Sequence, residues 1–268
     1  MGLGQWIEVG RMDELGRLDT PIHRIDARAK VITTLVFIVA VMSFPRYEVS
    51  ALMPFFLYPF ALIALGRISP GYIFRKILVA APFALVIGMF NPLLDHRTVA
   101  SVGVWPISGG WLSFASIMLR FFLTVSAALA LIACTGINRL GAGLERMCVP
   151  RVFVVQLLFL YRYLFVVADE GGRMRRSLEL RSAGPRSLRL RVYGSLVGHL
   201  LLRSMARADR VYRAMTARGF DGEIRVLRQA SFRWTDWVFA GSWTAFFAVA
   251  RMWNLADGIG RLFTKGAS

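Results

Sequence analysis

The chain has 268 residues, of which 56% are hydrophobic, with a mean hydropathy of +0.53 and a formal charge of +17. Apolar residues this numerous, and gathered into runs, exclude an ordinary soluble domain and point to several membrane spans. The basic excess suits anionic lipid or an acidic protein partner, and its tethering between apolar runs argues against nucleic acid.

Residues 1–28 form a polar N-terminal arm in which Glu8, Arg11, Asp13, Glu14, Arg17 and Asp19 leave no room for the apolar core of a signal peptide. Asp26 stands where a carboxylate would cap the first apolar helix. A four-span bundle is expected over 29–135. Span one is Ala29–Phe44, and the short turn Pro45-Arg46-Tyr47-Glu48 sends span two, Val49–Leu65, back antiparallel. Pro54 and Pro59 should kink span two. Gly66 to Lys76 reads as a basic loop, and span three covers Ile77–Phe90, reaching toward Leu94. Residues 95–110 read as a loop, with Trp105 and Trp111 at a membrane–water boundary. Span four, Trp111–Cys134, carries Arg120, a charge that must face other helices or snorkel.

No clean span is expected over 136–234. Ile137 to Met147 reads as a short interfacial helix. Val152–Val167 is apolar nearly all round and runs on into a polar stretch, so the helix should begin buried and end in water. Asp169 with Arg173 and Arg175 with Glu179 sit at i, i+4, a spacing worth a few tenths of a kcal/mol each. A second long helix is expected from Ser187 to Ala217. Its apolar stripe contains Tyr193, Val197, Leu200, Ala208, Val211, Tyr212 and Met215, with Ser204 in one gap. Arg203, Arg207 and Arg210 form another stripe. The last span is expected at 235–253, with Trp237–Trp253 as its apolar run, followed by a tail at 254–268.

With five spans, the N-terminus and the 136–234 segment share one side. That side holds five basic residues in 1–30, three in 66–76 and nineteen in 136–234. The other holds one in 45–48, one in 91–110 and three after 250. The positive-inside rule then places the N-terminus and the arm in the cytoplasm.

The sequence has no phosphate-binding loop, no Gly-x-Ser-x-Gly, no His-Glu-x-x-His and no dinucleotide fingerprint. His23, His96 and His199 are scattered, and His23 and His96 read as loop residues. Cys134 and Cys148 form no Cys-x-x-Cys pair and read as packed thiols. The chemistry that remains is at two helix ends. One closes on Leu180-Arg181-Ser182-Ala183-Gly184 and the other on Ala217-Arg218-Gly219, with Arg181 and Arg218 separated by 37 positions. A basic residue before a glycine is an ordinary helix stop. A planar guanidinium on a rigid tip also suits bidentate capture of a carboxylate on a partner.

The segments Arg24-Ile25-Asp26-Ala27-Arg28-Ala29-Lys30, Arg181-Ser182 and Ala214-Met215-Thr216-Ala217-Arg218-Gly219-Phe220-Asp221-Gly222 resemble the transmembrane T component of energy-coupling factor (ECF) transporters, in particular the cobalt-type CbiQ branch. The resemblance covers about residues 20–250. The first tip departs from the family's Ala-Arg pattern, because Leu180 precedes Arg181. The resemblance implies an all-α integral membrane protein of about five transmembrane helices. A cytoplasmic arm of two long coupling helices and a short interfacial helix would be inserted before the last span. It implies a non-catalytic subunit of the inner membrane, with no cofactor of its own. ATP and Mg would be bound by two partner ABC-type ATPases, and cobalt by a metal-binding membrane subunit, with a small accessory membrane subunit as a further partner. Arg181, Ser182, Ala217, Arg218 and Gly219 would dock the ATPases, with Arg203, Arg207 and Arg210 in support. The alternatives are the same role with nickel, a membrane-bound enzyme modifying lipid, and an anchor holding anionic lipid.

Overall fold

The computed structural model describes residues 20–45, 49–94, 98–102, 105–147, 149–181, 190–222 and 232–252. A 3-10 turn at Pro21–Arg24 precedes α1 (Ala27–Met42), and a 3-10 segment at Ser50–Phe56 runs directly into α2 (Leu57–Leu65). Then come α3 (Pro70–Leu94), α4 (Gly109–Thr135), α5 (Ile137–Glu145), α6 (Arg151–Arg181), α7 (Leu190–Thr216) and α8 (Trp234–Met252). The long helices match the expected order, and three expectations are corrected. Arg75 and Lys76 lie in α3, which begins at Pro70, and not in a loop. Pro54 sits in a 3-10 segment, Ser50–Phe56, and not in a kinked α-helix; proline has no N–H with which to continue the i→i−4 ladder. The stretch read as an outer loop holds an antiparallel hairpin, β1 (Thr98–Val102) with β2 (Trp105–Ser108).

Among the described residues three helices are long and apolar enough to cross a membrane: Pro70–Pro92, Gly109–Thr135 and Arg151–Arg181. The fold is thus a multi-pass helical one. The first two are expected spans, whereas the third lies in the segment where no clean span was read. Its apolar window reflects Val152–Val167, and its C-terminal half is charged. Helix α1, at 16 residues, spans about 24 Å.

The chain divides into two compact units, with changes at Leu140/Gly141 and at Gln229/Ala230. In the larger unit the core is aromatic. Phe37 of α1, Phe55, Tyr58 of α2 and Phe247 of α8 are all at most 1% exposed. The Phe37 ring lies 4.9 Å from Tyr58 and 5.4 Å from Phe247, and Tyr58 lies 5.0 Å from Trp243. Tyr58 also meets the Thr34 hydroxyl at 2.7 Å, which satisfies its polar end inside the core. On α4 the buried residues include Ala127, Ala130 and Ala133, small enough to let neighbouring helices approach closely. Helix α3 packs mainly on α4. Its Val79, Phe83, Val86 and Met89 stay exposed, as suits a face turned to lipid.

Charges inside this unit serve helix ends. At the C-terminal end of α1, Arg120 donates to the carbonyls of Phe44 (3.1 Å) and Pro45 (2.6 Å). Arg251 donates to Ser43 (3.0 Å) and lies 4.4 Å over the Phe44 ring. These carbonyls have no partner within the helix, so a cation there is favourable. Arg120 thus faces the end of another helix, α1. His23 was read as a solvated loop residue; it is 3% exposed and bonds the Thr20 hydroxyl. The cause is the 3-10 turn, which folds the entry segment inward. Cys134 is a buried free thiol.

Candidate functional site

In the smaller unit two helices, α6 and α7, pack on each other. The inward positions of α7 are Leu196, Leu200, Ser204, Val211 and Met215, all half-buried. They recur at helical spacing; four of them, Leu200, Ser204, Val211 and Met215, belong to the expected stripe, whose Ala208 is exposed. Tyr193, Val197 and Tyr212 of that stripe remain exposed, together with Leu201, Leu202 and Met205. On α6 only Val154 is buried, and Val152, Phe153, Leu160 and Leu164 are exposed. These two helices therefore carry much apolar surface that their own contacts leave uncovered.

The polar link between them is Glu170. Its carboxylate accepts from Arg173 one turn on and from Arg203 of α7 at 2.7 Å, with Arg207 at 3.9 Å. The hydrogen bonds from Arg173 and Arg203 hold the Glu170 carboxyl below the usual carboxylate range. A groove of about 300 Å³ opens beside it, lined by Val166, Val167, Glu170, Arg203, Arg207 and Arg210. The sequence reading paired Arg173 with Asp169; the hydrogen-bonding acid is Glu170, at i, i+3, because it also faces α7. The Arg175–Glu179 pair forms as expected, at 2.8 Å. Of the arginine stripe, Arg203 and Arg207 are drawn to Glu170. Arg210 makes no hydrogen bond or ion pair among the described residues.

The end of α7 is closed by a Schellman turn. The Phe220 N–H donates to Met215 O and the Gly219 N–H to Thr216 O, each at 3.0 Å. Gly219 sits at φ +80°, a left-handed conformation that disfavours any side chain, so the glycine after Arg218 has a backbone reason. The Phe220 ring turns back to 6.4 Å from Phe159 of α6. This leaves Ala217, Arg218 and Gly219 exposed on a closed, hydrogen-bonded corner. Among the described residues the Arg218 side chain has no hydrogen-bond or ion-pair partner. Arg181 is the last residue of α6 and is exposed, next to a Leu180 that is 86% exposed. Ser182 lies outside the described residues, as do His96 and Cys148. Arg162 is exposed on α6.

Among the described residues no group of three or more His, Cys, Asp or Glu is placed to hold a metal ion. Sequence reasoning missed Glu170 and also the burial of Lys30 and Asp236, which are 1% and 2% exposed. A signal existed for Asp236, the only acid in α8 and placed in its first turn; Glu170 has Asp169 beside it, and nothing local singles it out.

Residues 19–228 match the CbiQ family, described as cobalt transport protein. The chain is 26% identical over 259 residues to the energy-coupling factor transporter transmembrane protein EcfT of Heliobacterium modesticaldum, covering 89% of this chain and 95% of that protein. It is 30% identical over 170 residues to the nickel permease LarQ of Lactiplantibacillus plantarum, covering 58% of this chain and 62% of the permease, less than two thirds of its length. It is 33% identical over 87 residues to the cobalt transport protein CbiQ of Rhodobacter capsulatus, 32% of this chain and 36% of that protein. The chain belongs to the CbiQ family, the non-catalytic transmembrane T components of energy-coupling factor transporters.

Proposed function

We propose that this chain couples ATP hydrolysis by two cytoplasmic ABC-type ATPases to movement of a metal-binding membrane subunit that imports divalent cobalt. In this reading α1 to α4 and α8, with the 3-10 segment before α2, make up about five spans, with 29–135 as the four-span bundle and 235–253 as the last span. Residues 136–234 are the cytoplasmic coupling arm, and the positive-inside count supports that orientation. The observation that carries the proposal is the α7 corner. The Schellman turn satisfies the last carbonyls of the helix, so the Arg218 guanidinium is not needed as a cap and stands exposed. Five N–H donors in a fixed fork suit a carboxylate in a groove on an ATPase. Arg181 would be the second prong, with Ser182 beside it.

A stiff helix transmits displacement, and the exposed apolar residues of α6 and α7 offer a surface on which a membrane subunit would ride. Cobalt is favoured by the description of the matched family. Nickel is the second reading, favoured by the similarity to a nickel permease. The test uses the whole complex in proteoliposomes with radiolabelled cobalt or nickel. Truncating one partner of a buried interfacial charge pair costs about 2–5 kcal/mol. Arg218→Glu and Arg181→Glu should therefore leave the chain inserted while uptake falls by tenfold or more. Uptake unchanged in both variants overturns the coupling reading, and uptake of nickel alone replaces cobalt by nickel.

A further inference from the structure

The stretch His23–Lys30, which leads into the first turn of α1, makes four contacts that share a topological property. Between α4 and α8 lie 98 residues, Gly136 to Arg233, and within them the chain leaves the larger unit at Leu140/Gly141 and rejoins it at Gln229/Ala230. All four contacts fall within the larger unit, close to these two points. At the exit, the Lys30 amine donates to the carbonyl of Cys134, in the last turn of α4, at 3.1 Å. Beside it, Arg139 donates to the carbonyl of His23 at 2.8 Å. At the return, the Asp26 N–H donates to Oδ1 of Asp236 at 2.9 Å, and Arg28 lies 5.2 Å over the ring of Phe232.

The chemistry at each end is complementary. Asp236 is the third residue of α8, and its Oδ2 accepts from the N–H of Arg233 at 2.7 Å, closing the start of that helix. Its other oxygen serves the start of α1. One carboxylate thus sits between two helix N-termini, where negative charge is favoured, and a lysine sits at a helix C-terminus, where positive charge is favoured. Asp26 itself accepts from the Arg28 N–H at 2.9 Å and pairs with its guanidinium at 3.1 Å. Asp26, Lys30 and Asp236 are 7%, 1% and 2% exposed. Capping α8 alone would need only the Asp236–Arg233 bond. The second bond, to a residue 210 positions away, does something that capping does not require.

We propose that Asp26, Lys30 and Asp236 are positioning residues that clamp both roots of the inserted segment to the start of α1. A segment attached by two independent roots can pivot at each, and part of any displacement imposed on it is lost in their relative motion. With both roots held on one short stretch, 20–30, the displacement enters the bundle as a single input. The coupling role of this clamp rests on the T-component reading; its existence as a tie between roots does not.

The test separates the two. Spin labels placed at exposed Asn138 and Trp237, with Cys134 and Cys148 changed to Ala, report the distance between the roots in the assembled complex. Asp236→Ala, which removes both acceptors, should broaden that distribution. Asp236→Asn, which keeps one acceptor oxygen, and Lys30→Met, which spares α8, should broaden it less. In the same complexes, ATPase subunits should co-purify at the normal level while metal taken up per ATP hydrolysed falls about threefold or more, the equivalent of roughly 0.65 kcal/mol. A purely structural role would lower complex yield and leave that ratio unchanged, which overturns the proposal. An unbroadened distance in Asp236→Ala and Lys30→Met overturns the clamp itself. Broadening with a normal ratio overturns its coupling role. Failure of the T-component reading shows separately, as unchanged uptake in the Arg181 and Arg218 variants.

Discussion

The two units use charge in opposite ways. In the larger unit several charged side chains are tied to the protein's own helix ends. Lys30 holds a carbonyl of α4, Arg120 and Arg251 hold carbonyls at the end of α1, and Asp236 holds two N–H groups. In the smaller unit the same residue types face outward, and the tips at Arg181 and Arg218 are exposed. Burial follows the same division. Four aromatic rings at most 1% exposed make the centre of the first unit, whereas α6 buries Val154 and α7 buries none of its described residues. A charge that has found its partner at home stabilises the fold. A charge held on a rigid corner without one is free to act on something else.

This contrast predicts that stability and function respond to different residues, and the largest stability loss should come from the aromatic centre. Phe247→Ala removes a ring that touches Phe37, Phe55, Tyr58 and Trp243 and should cost about 3–5 kcal/mol. A thermal melt of the detergent-purified protein measures it; a loss under about 1 kcal/mol would show that the rings are not the core. Next comes Gly66, where an added Cβ would lie 2.7 Å from the Cys134 sulfur. Gly66→Ala should cost about 1–3 kcal/mol through overpacking. If the sulfur is the obstacle, pairing it with Cys134→Ala should recover part of the loss in the same melt.

A smaller effect is expected at Glu170, where the carboxylate is exposed to screening by salt. Glu170→Gln should widen the distance between labels on α6 and α7, more at low salt than at high. The pH dependence has a definite sign. A carboxyl whose folded value is lowered contributes fully above its ordinary value, about 4.3, and loses that contribution as pH falls through the lowered one. The α6–α7 distance should thus stay constant from pH 7 to 5 and grow only in stronger acid; widening near pH 6 would exclude Glu170 as the link. The smallest stability effect belongs to Arg218→Ala, within about 0.5 kcal/mol for an exposed side chain. It should nevertheless abolish most uptake. A destabilised Arg218→Ala protein would erase the contrast, since the tip would then belong to the fold.

Much of this was legible in the residues alone. Apolar runs located α1, α3, α4 and α8, and α3 and α4 are long and apolar enough to cross a membrane. Asp26 as a cap and Gly219 as a stop follow from local backbone chemistry, which acts over a few residues. The Ala217-Arg218-Gly219 tip was found the same way, and the CbiQ resemblance rested on it. Span two and the basic loop after it were less legible. Proline at 54 permits either a kinked α-helix or a 3-10 segment, and Pro70 can open a helix as readily as lie in a loop.

What sequence could not decide was which ends meet. Periodicity says which face of a helix is apolar, but it carries no information on which other helix end lies beside it. Lys30 and Cys134 are 104 positions apart, Asp26 and Asp236 are 210 apart, and Glu170 reaches Arg203 across the break between two helices. Nothing local in the sequence points to any of these partners; packing alone brings them together. Composition and local pattern determined that this is a helical membrane protein with two basic tips and no catalytic motif. Tertiary structure decided which charges the fold uses for itself, because burying one is favourable only where a distant partner meets it.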